Sequence, residues 1–215
     1  MRPIRIALTK GRLEKDSVNL FDSMGLETEA IENKGRRLIL PVSDAGVPVF
    51  EVVLAKAADV ITYVEHGVCD LGVVGKDTIA ESGGSFYEVL DLGFGRCRFA
   101  LAGPKGTDFF GGYHSRTIAS KYPNVTRAYF GRKGMDVGII KIEGSVELAP
   151  LLGLSDAIVD IVETGATLKA NGLEPIETVA DVSARLIINT ASMKLYKGQI
   201  NDLIAKCETG LEKEL

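Results

Sequence analysis

Residues 156–168 read DAIVDIVETGATL: an apolar run carrying one acid, then a second acid, then the turn Thr-Gly-Ala-Thr. The run AIVDIV is rich enough in β-branched residues to form a buried strand. The turn after it places two hydroxyls and a flexible backbone where a helix begins. Helix N-termini leave backbone N–H groups unpaired and carry partial positive charge, so a phosphate fits there, and Gly165 lets the main chain approach it closely. Thr164, Gly165, Ala166 and Thr167 therefore form a candidate phosphate cradle. Asp160 and Glu163 lie beside it, where carboxylates can accept hydrogen bonds from sugar hydroxyls or help position a magnesium ion. The combination points to a phosphorylated sugar. A plainer reading stands next to it, because a capping hydroxyl is worth about 1 kcal/mol to a helix with no ligand present. The two acids favour a ligand, since a charge in or at the end of a buried strand needs a partner.

The same alternation continues in both directions. IRIAL, RRLIL, VFEVVL, DLGVVG, CRFALAG, RTIAS, VGIIKI, AIVDIV and RLIINT read as strands, with helical patterns such as AADVITYVEHG and SVELAPLLG between them. Strands alternating with amphipathic segments give parallel or mixed sheets covered by helices, an α/β architecture. The glycine-rich stretch 93–112 and the segment NGLEPIETVAD, residues 171–181, are places for the chain to leave one lobe and return to it. The expected lobes are 1–92 with 181–215, and 93–180, the second carrying the phosphate turn. A ligand is expected in the cleft, facing the carboxyl ends of strands. In the tail, Ile200, Leu203, Ile204 and Cys207 fall at helical spacing, a stripe expected to pack on its own lobe.

Composition narrows the function. The chain has 215 residues, 46% hydrophobic and 25% charged, enough to bury a full core. A net charge of −4 and a pI of about 5.4 supply no positive field for nucleic acid. The amino-terminal apolar stretch IRIAL is too short for a signal sequence or a membrane span, and a cytoplasmic protein is expected. Cys69, Cys97 and Cys207 are widely separated and lack C-x-x-C spacing, which gives neither a disulfide framework nor a zinc site. His66 and His114 are too few for a histidine-rich metal site, and no dedicated metal residues are assigned. In YVEHG, His66 reads as a structural residue at a helix end, with Gly67 as the left-handed stop.

Four other segments suit anions. Lys10 and Arg12 flank Gly11 directly after the first strand, where two cations and a flexible backbone can receive a polyphosphate. Arg36 and Arg37 open the expected second strand, so side-chain alternation lets one of them face a cleft. Gly75 and Asp77 follow a buried strand and are expected to cap a helix. Ser145 is expected to cap another helix, whose first turn carries Glu147. Such convergence exceeds what helix caps alone require.

Taken in order, TKGRLEKD, GVCDLGVVGKDTIAE, CRFALAGP, KYPNVTRAYF, IKIEGSVELAPLLGLSDAIVDIVETGATLKANGL and RLIINTASMK resemble the ATP phosphoribosyltransferase family over essentially the whole chain. The block from Ile140 to Leu173 carries most of the specificity. The resemblance implies a two-lobed fold like that of type II periplasmic binding proteins. It also implies transfer of the phosphoribosyl group of phosphoribosyl pyrophosphate to N1 of ATP, the first step of histidine biosynthesis. By position, Thr164 to Thr167 would hold the 5′-phosphate, Asp160 and Glu163 would lie near the ribose, and Arg12 and Arg36 would face the pyrophosphate. Lys10, Gly11, Asp77, Ser145 and Glu147 complete the expected substrate-binding set. Mg2+ would be carried mainly by the substrate phosphates. The chain resembles the short form of the family, in which a regulatory subunit similar to histidyl-tRNA synthetase joins the catalytic chain in a hetero-octamer. A homodimer is expected alone. Two rivals are a solute-binding module of the same fold and a salvage phosphoribosyltransferase acting on a free base.

Overall fold

The computed structural model describes residues 2–112 and 115–213; His114 and the last two residues of the tail lie outside them. The chain forms two compact units, Met1–Gly95 with Ser183–Leu215 (unit 1) and Arg96–Val182 (unit 2).

Unit 1 contains β1 (Ile4–Thr9), α1 (Arg12–Ser23), α2 (Glu29–Glu32), β2 (Ile39–Asp44), β3 (Val47–Ala55), α3 (Ala57–Glu65), β4 (Leu71–Gly75), α4 (Lys76–Ser82) and β5 (Phe86–Asp91). Unit 2 contains β6 (Cys97–Pro104), β7 (Arg116–Ser120), α5 (Pro123–Arg132), β8 (Val137–Lys141), α6 (Leu148–Leu151), β9 (Ala157–Val162), α7 (Ala166–Ala170) and β10 (Leu173–Val182). The chain then returns to unit 1 for β11 (Ala184–Asn189), α8 (Ser192–Leu195) and α9 (Lys197–Lys213).

The sheet of unit 1 has the order β2-β3-β1-β4-β11-β5. Its centre is parallel: β1 pairs with β3 and β4, placing Ile6 beside Val52 on one side and Leu71 on the other. Strands covered on both faces read as continuous apolar runs, and all five residues of β4 are buried. One face packs Ile6, Leu8, Phe50 and Leu71 against Leu20 and Phe21 of α1 and against Ile200, Leu203 and Cys207 of α9. The tail stripe thus packs on its own unit. Burial raises the Cys69 and Cys207 thiols to about 11 and about 12, as suits packing groups.

Polar anchors close the edges of this unit. Asp70 is fully buried and accepts hydrogen bonds from Arg5 N–H at 2.9 Å and Ser192 Oγ at 2.7 Å, while Arg2 chelates it at 2.7 and 3.0 Å. At the end of α3, His66 Nδ1 lies 2.9 Å from the Thr62 carbonyl and Gly67 takes φ +68, the structural arrangement expected of YVEHG.

The sheet of unit 2 has the order β10-β6-β9-β7-β8. Alternation divides its two faces: Phe99, Leu101, Ile118 and Val159 meet Tyr129 and Phe130 of α5, whereas Ala100, Ala102, Ala119 and Ile158 meet Val146, Ala149 and Leu168. The second face carries α6 and α7, and by the same alternation it also carries Asp160, which pairs in register with Ala100.

Three expectations need correction. The run RRLIL is not a strand from its first residue. Residues 34–37 form a turn closed by Arg37 N–H to the Lys34 carbonyl at 3.0 Å, and β2 starts at Ile39. Neither Arg36 nor Arg37 is therefore oriented by strand alternation. NGLEPIETVAD leads up to the crossing but is itself mostly strand: β10 pairs antiparallel with β6, with register shifts at Pro175/Glu177 and Thr178/Ala180. Because β10 is an edge strand, the missing N–H of Pro175 and the acids are tolerated, and these same residues hide it in the sequence. The crossings occur at Gly95/Arg96 and Val182/Ser183, later than the expected 92/93 and 180/181. The Gly93–Gly95 turn stays with unit 1, where the Ala184 N–H binds the Phe94 carbonyl at 3.0 Å.

Candidate active site

The turn expected to hold phosphate lies at the end of β9 in unit 2. Gly165 is the N-cap of α7 with φ +77, a left-handed conformation that favours glycine, and it ends the three-residue link Glu163–Gly165 between strand and helix. The space there is adequate, since an added Cβ would meet only Val162 Cγ1 at 3.8 Å, so conformation rather than crowding selects glycine. Thr164 Oγ1 accepts a hydrogen bond from the Ala166 N–H at 3.3 Å, while the Thr167 carbonyl receives the Asn171 amide at 2.9 Å. The Thr164 and Thr167 side chains lie on the exposed side of the turn.

Beside this turn is a cavity of about 290 Å³ lined by Glu147, Asp160, Ile161, Val162, Glu163, Thr164, Gly165, Thr167 and Leu168. Six of the residues assigned from sequence thus share one wall, although Glu147 comes from a different segment. Larger cavities of about 490 and 520 Å³ lie elsewhere, one at α5 and β8 and one at α9 and β3. Neither gathers acids and hydroxyls around a glycine turn, so chemistry rather than size selects the smaller one. Burial raises the Asp160 carboxyl above the ordinary aspartate range, and the charge of Glu147 adds to this; the Ile161 N–H, 2.8 Å from Oδ1, and the charge of Lys121 oppose it. Lys121 follows β7 directly and was not singled out in the sequence. Its signal lies in three dimensions, because β7 and β9 are parallel neighbours whose carboxyl ends fall together.

One expected helix cap is not made, and one expected member lies beside the cavity rather than on its wall. Ser145 does not cap α6: Glu147 is the N-cap and no side chain bonds the helix start, so Ser145 lies upstream in the turn. The Leu148 N–H instead reaches the Ser145 main-chain carbonyl at 3.3 Å. Ala166 contributes its N–H to Thr164 and does not line the cavity.

In unit 1, the end of β1 carries Lys10, Gly11 and Arg12. Gly11 is the N-cap of α1 with φ 98 and ψ −128, a backbone state that side chains rarely adopt. Lys10 N–H is fixed to the Ala55 carbonyl at 2.9 Å, which docks the turn on β3. Lys10 and Arg12 are both exposed. Arg37 is occupied within its own turn, donating to the Asn33 and Lys34 carbonyls at 3.2 and 3.4 Å. Arg36 is exposed and is engaged in no such bond among the described residues. Asp77 is not a cap residue. Gly75 is the N-cap of α4, and the Asp77 carboxylate folds back over it into the space a Cβ would occupy.

These features define a class: an α/β protein of two lobes whose site chemistry suits phosphorylated sugars and polyphosphate. A family model described as ATP phosphoribosyltransferase matches residues 56–209, and the chain belongs to that family. The ATP phosphoribosyltransferase of Clostridium kluyveri is 55% identical over 212 residues, covering 99% of this chain and 95% of the relative. That of Clostridium acetobutylicum is 55% identical over 213 residues, covering 99% and 98%. Among solved structures, the ATP phosphoribosyl transferase (HisG:HisZ) complex from Thermotoga maritima superposes with a TM-score of 0.79 at 33% identity, covering 98% of this chain and 99% of that one. The periplasmic aliphatic sulphonate binding protein SsuA from Escherichia coli superposes with a TM-score of 0.59 at 11% identity, covering 98% and 73%, a likeness of fold alone. The activity of the family is phosphoribosyl transfer to ATP, the first step of histidine biosynthesis.

Proposed function

We propose that the unit 2 cavity receives the ribose 5-phosphate part of phosphoribosyl pyrophosphate and that the basic turns of unit 1 receive its pyrophosphate. The observation that carries this reading is the gathering of Glu147, Asp160, Glu163, Thr164, Gly165 and Thr167 around one cavity of about 290 Å³. Thr164 and Thr167 offer hydroxyl donors to phosphate oxygens, and Asp160 and Glu163 accept from the ribose hydroxyls. Adenine N1 attacks C1 of the ribose. The C–N bond forms as the bond to pyrophosphate breaks, the pyrophosphate leaves with the electron pair, and C1 inverts. No enzyme nucleophile is needed. The protein contributes alignment of the reactants and positive charge where negative charge develops, the role assigned to Arg12 and Arg36 with Lys10 beside them.

Among the described residues no three His, Cys, Asp or Glu side chains come together as a metal site. We assign Mg2+ to the phosphates of the substrates, with Asp160 and Glu163 as neighbouring carboxylates. We further infer that the chain works with a subunit like that of the Thermotoga maritima complex, a regulatory protein similar to histidyl-tRNA synthetase, in a hetero-octamer, and forms a homodimer alone. The compartment assigned is the cytoplasm; among the described residues no helix is long and apolar enough to cross a membrane.

The deciding experiment is product identification after incubation with phosphoribosyl pyrophosphate, Mg2+ and either ATP, adenine or hypoxanthine. N1-(5-phosphoribosyl)-ATP from ATP, with no nucleotide from the free bases, is the expected result. Turnover of a free base instead of ATP would overturn it.

A further inference from the structure

We propose that Glu14 is a positioning residue for the pyrophosphate-binding cations: its buried carboxylate holds the Gly11 turn and, through Lys34, the turn that carries Arg36. This rests on the assignment of those turns to pyrophosphate. Glu14 lies in the first turn of α1 and is 7% exposed. One carboxylate oxygen, Oε2, accepts the Gly11 N–H at 3.4 Å, and the other, Oε1, pairs with Lys34 Nζ. Gly11 separates Lys10 from Arg12, and Lys34 lies two residues before Arg36. A single acid therefore links two basic segments that are 20 residues apart at the Glu14–Lys34 pair.

The turn around Arg36 is closed from within. Gly35 has φ +57, the Arg37 N–H reaches the Lys34 carbonyl at 3.0 Å, and the Arg37 guanidinium holds the Asn33 and Lys34 carbonyls. Lys34 anchors the turn to α1, Arg37 shapes it, and Arg36 is left for a ligand. The Glu14 carboxylate is buried and its charge is matched by Lys34, so it holds the two turns without offering itself to the ligand. An ordinary surface pair would be worth little. The burial of Glu14 and its double attachment give this pair its leverage. Its effect belongs in the rate, because positioned cations stabilise charge on a leaving group only if they are fixed before the reaction.

The test is a set of single-turnover and steady-state measurements on Lys34→Met, Lys34→Arg, Glu14→Gln, Arg36→Ala and the double variant Lys34→Met/Arg36→Ala. Lys34→Met is expected to slow the chemical step about tenfold with a smaller change in KM, and Lys34→Arg to restore most of it. Arg36→Ala should cost the parent protein a similar factor and cost the Lys34→Met protein almost nothing further. Glu14→Gln keeps an acceptor for the Gly11 N–H but loses the charge. It should reproduce the Lys34→Met effect, and it carries the test if Lys34→Met proves unstable in urea. Equal Arg36→Ala penalties in both backgrounds would overturn the proposal alone. An inert Arg36 in the parent protein would overturn the pyrophosphate assignment and the proposal together.

Discussion

Asp160 shares its cavity with Glu147, and burial together with that neighbouring charge makes the Asp160 carboxyl hold its proton more tightly than an exposed aspartate does. A folded-state pKa above the unfolded one gives a contribution that is full below the ordinary aspartate range and lost as pH rises through the folded value. At neutral pH the ionised Asp160 therefore weakens the empty protein. Asp160→Asn should raise the urea midpoint at about pH 7, with the advantage shrinking toward about pH 4, while activity falls. A stability gain independent of pH would disprove this origin.

Thr164 and Thr167 are separable. Each removal of a hydroxyl from a charged acceptor should cost roughly 1.5 to 3 kcal/mol, about one to two decades in affinity for phosphoribosyl pyrophosphate. Thr164 also accepts the Ala166 N–H, so Thr164→Ala should additionally lose about 0.5 to 2 kcal/mol of stability, whereas Thr167→Ala should not. Titration calorimetry and urea denaturation of both variants decide this. Unchanged affinity in both would reduce the turn to a helix cap.

Arg12, Arg36 and Arg37 should part in a similar way. Interactions that strengthen as charge develops lower the barrier more than they tighten binding, so Arg12→Ala and Arg36→Ala should reduce the single-turnover rate more than substrate affinity. Arg37, which serves the carbonyls of its own turn, should act through loop order and give a milder defect in both constants. Intact chemistry at saturation in Arg12→Ala and Arg36→Ala would reject their assignment to the leaving group.

The N-terminal anchor carries a stability prediction. Asp70→Ala strands the Arg5 N–H and the Ser192 hydroxyl, at about 1 to 3 kcal/mol for each unsatisfied donor, whereas Arg2→Ala removes the partly exposed partner, lets water reach the carboxylate and should cost about 1 kcal/mol. Denaturant titrations of the two variants test the ratio. Equal losses would mean that the Arg2 pair, rather than the buried acid, holds the segment.

A last expectation concerns regulation. The chain alone should turn over nearly independently of histidine, and sensitivity should appear when a synthetase-like subunit is added, because feedback requires a site whose affinity differs between active and inactive states. Histidine titrations with and without that subunit are the measurement. Potent inhibition of the chain alone, not competitive with either substrate, would place the regulatory site within it.

Local chemistry made much of this legible. DAIVDIV and TGAT needed only β-branching, a glycine and two hydroxyls to declare a strand, a turn and a helix, and β9 and α7 follow that reading. What stayed hidden depends on neighbours. β10 is disguised by Pro175 and its acids because an edge position excuses them, and the charge of Lys121 reaches Asp160 only through the pairing of β7 with β9. Arg36 and Arg37 look equivalent in the sequence. Their difference arises from a turn that Gly35 allows, and the apolar residues after it made the pair resemble the start of a strand.

The interruption of unit 1 by unit 2 bears on how the protein emerges from the ribosome. β11 lies between β4 and β5 and is, among the described residues, the only strand paired with β5, yet it is synthesised after the whole of unit 2. Until then β4 presents a bare edge and the face that receives α9 is uncovered, whereas residues 96–182 already hold all five described strands of their own sheet. The later-starting unit should thus acquire protease resistance first on the nascent chain. The earlier one must wait, with an exposed edge of the kind that invites mispairing, until its last strand and helix arrive.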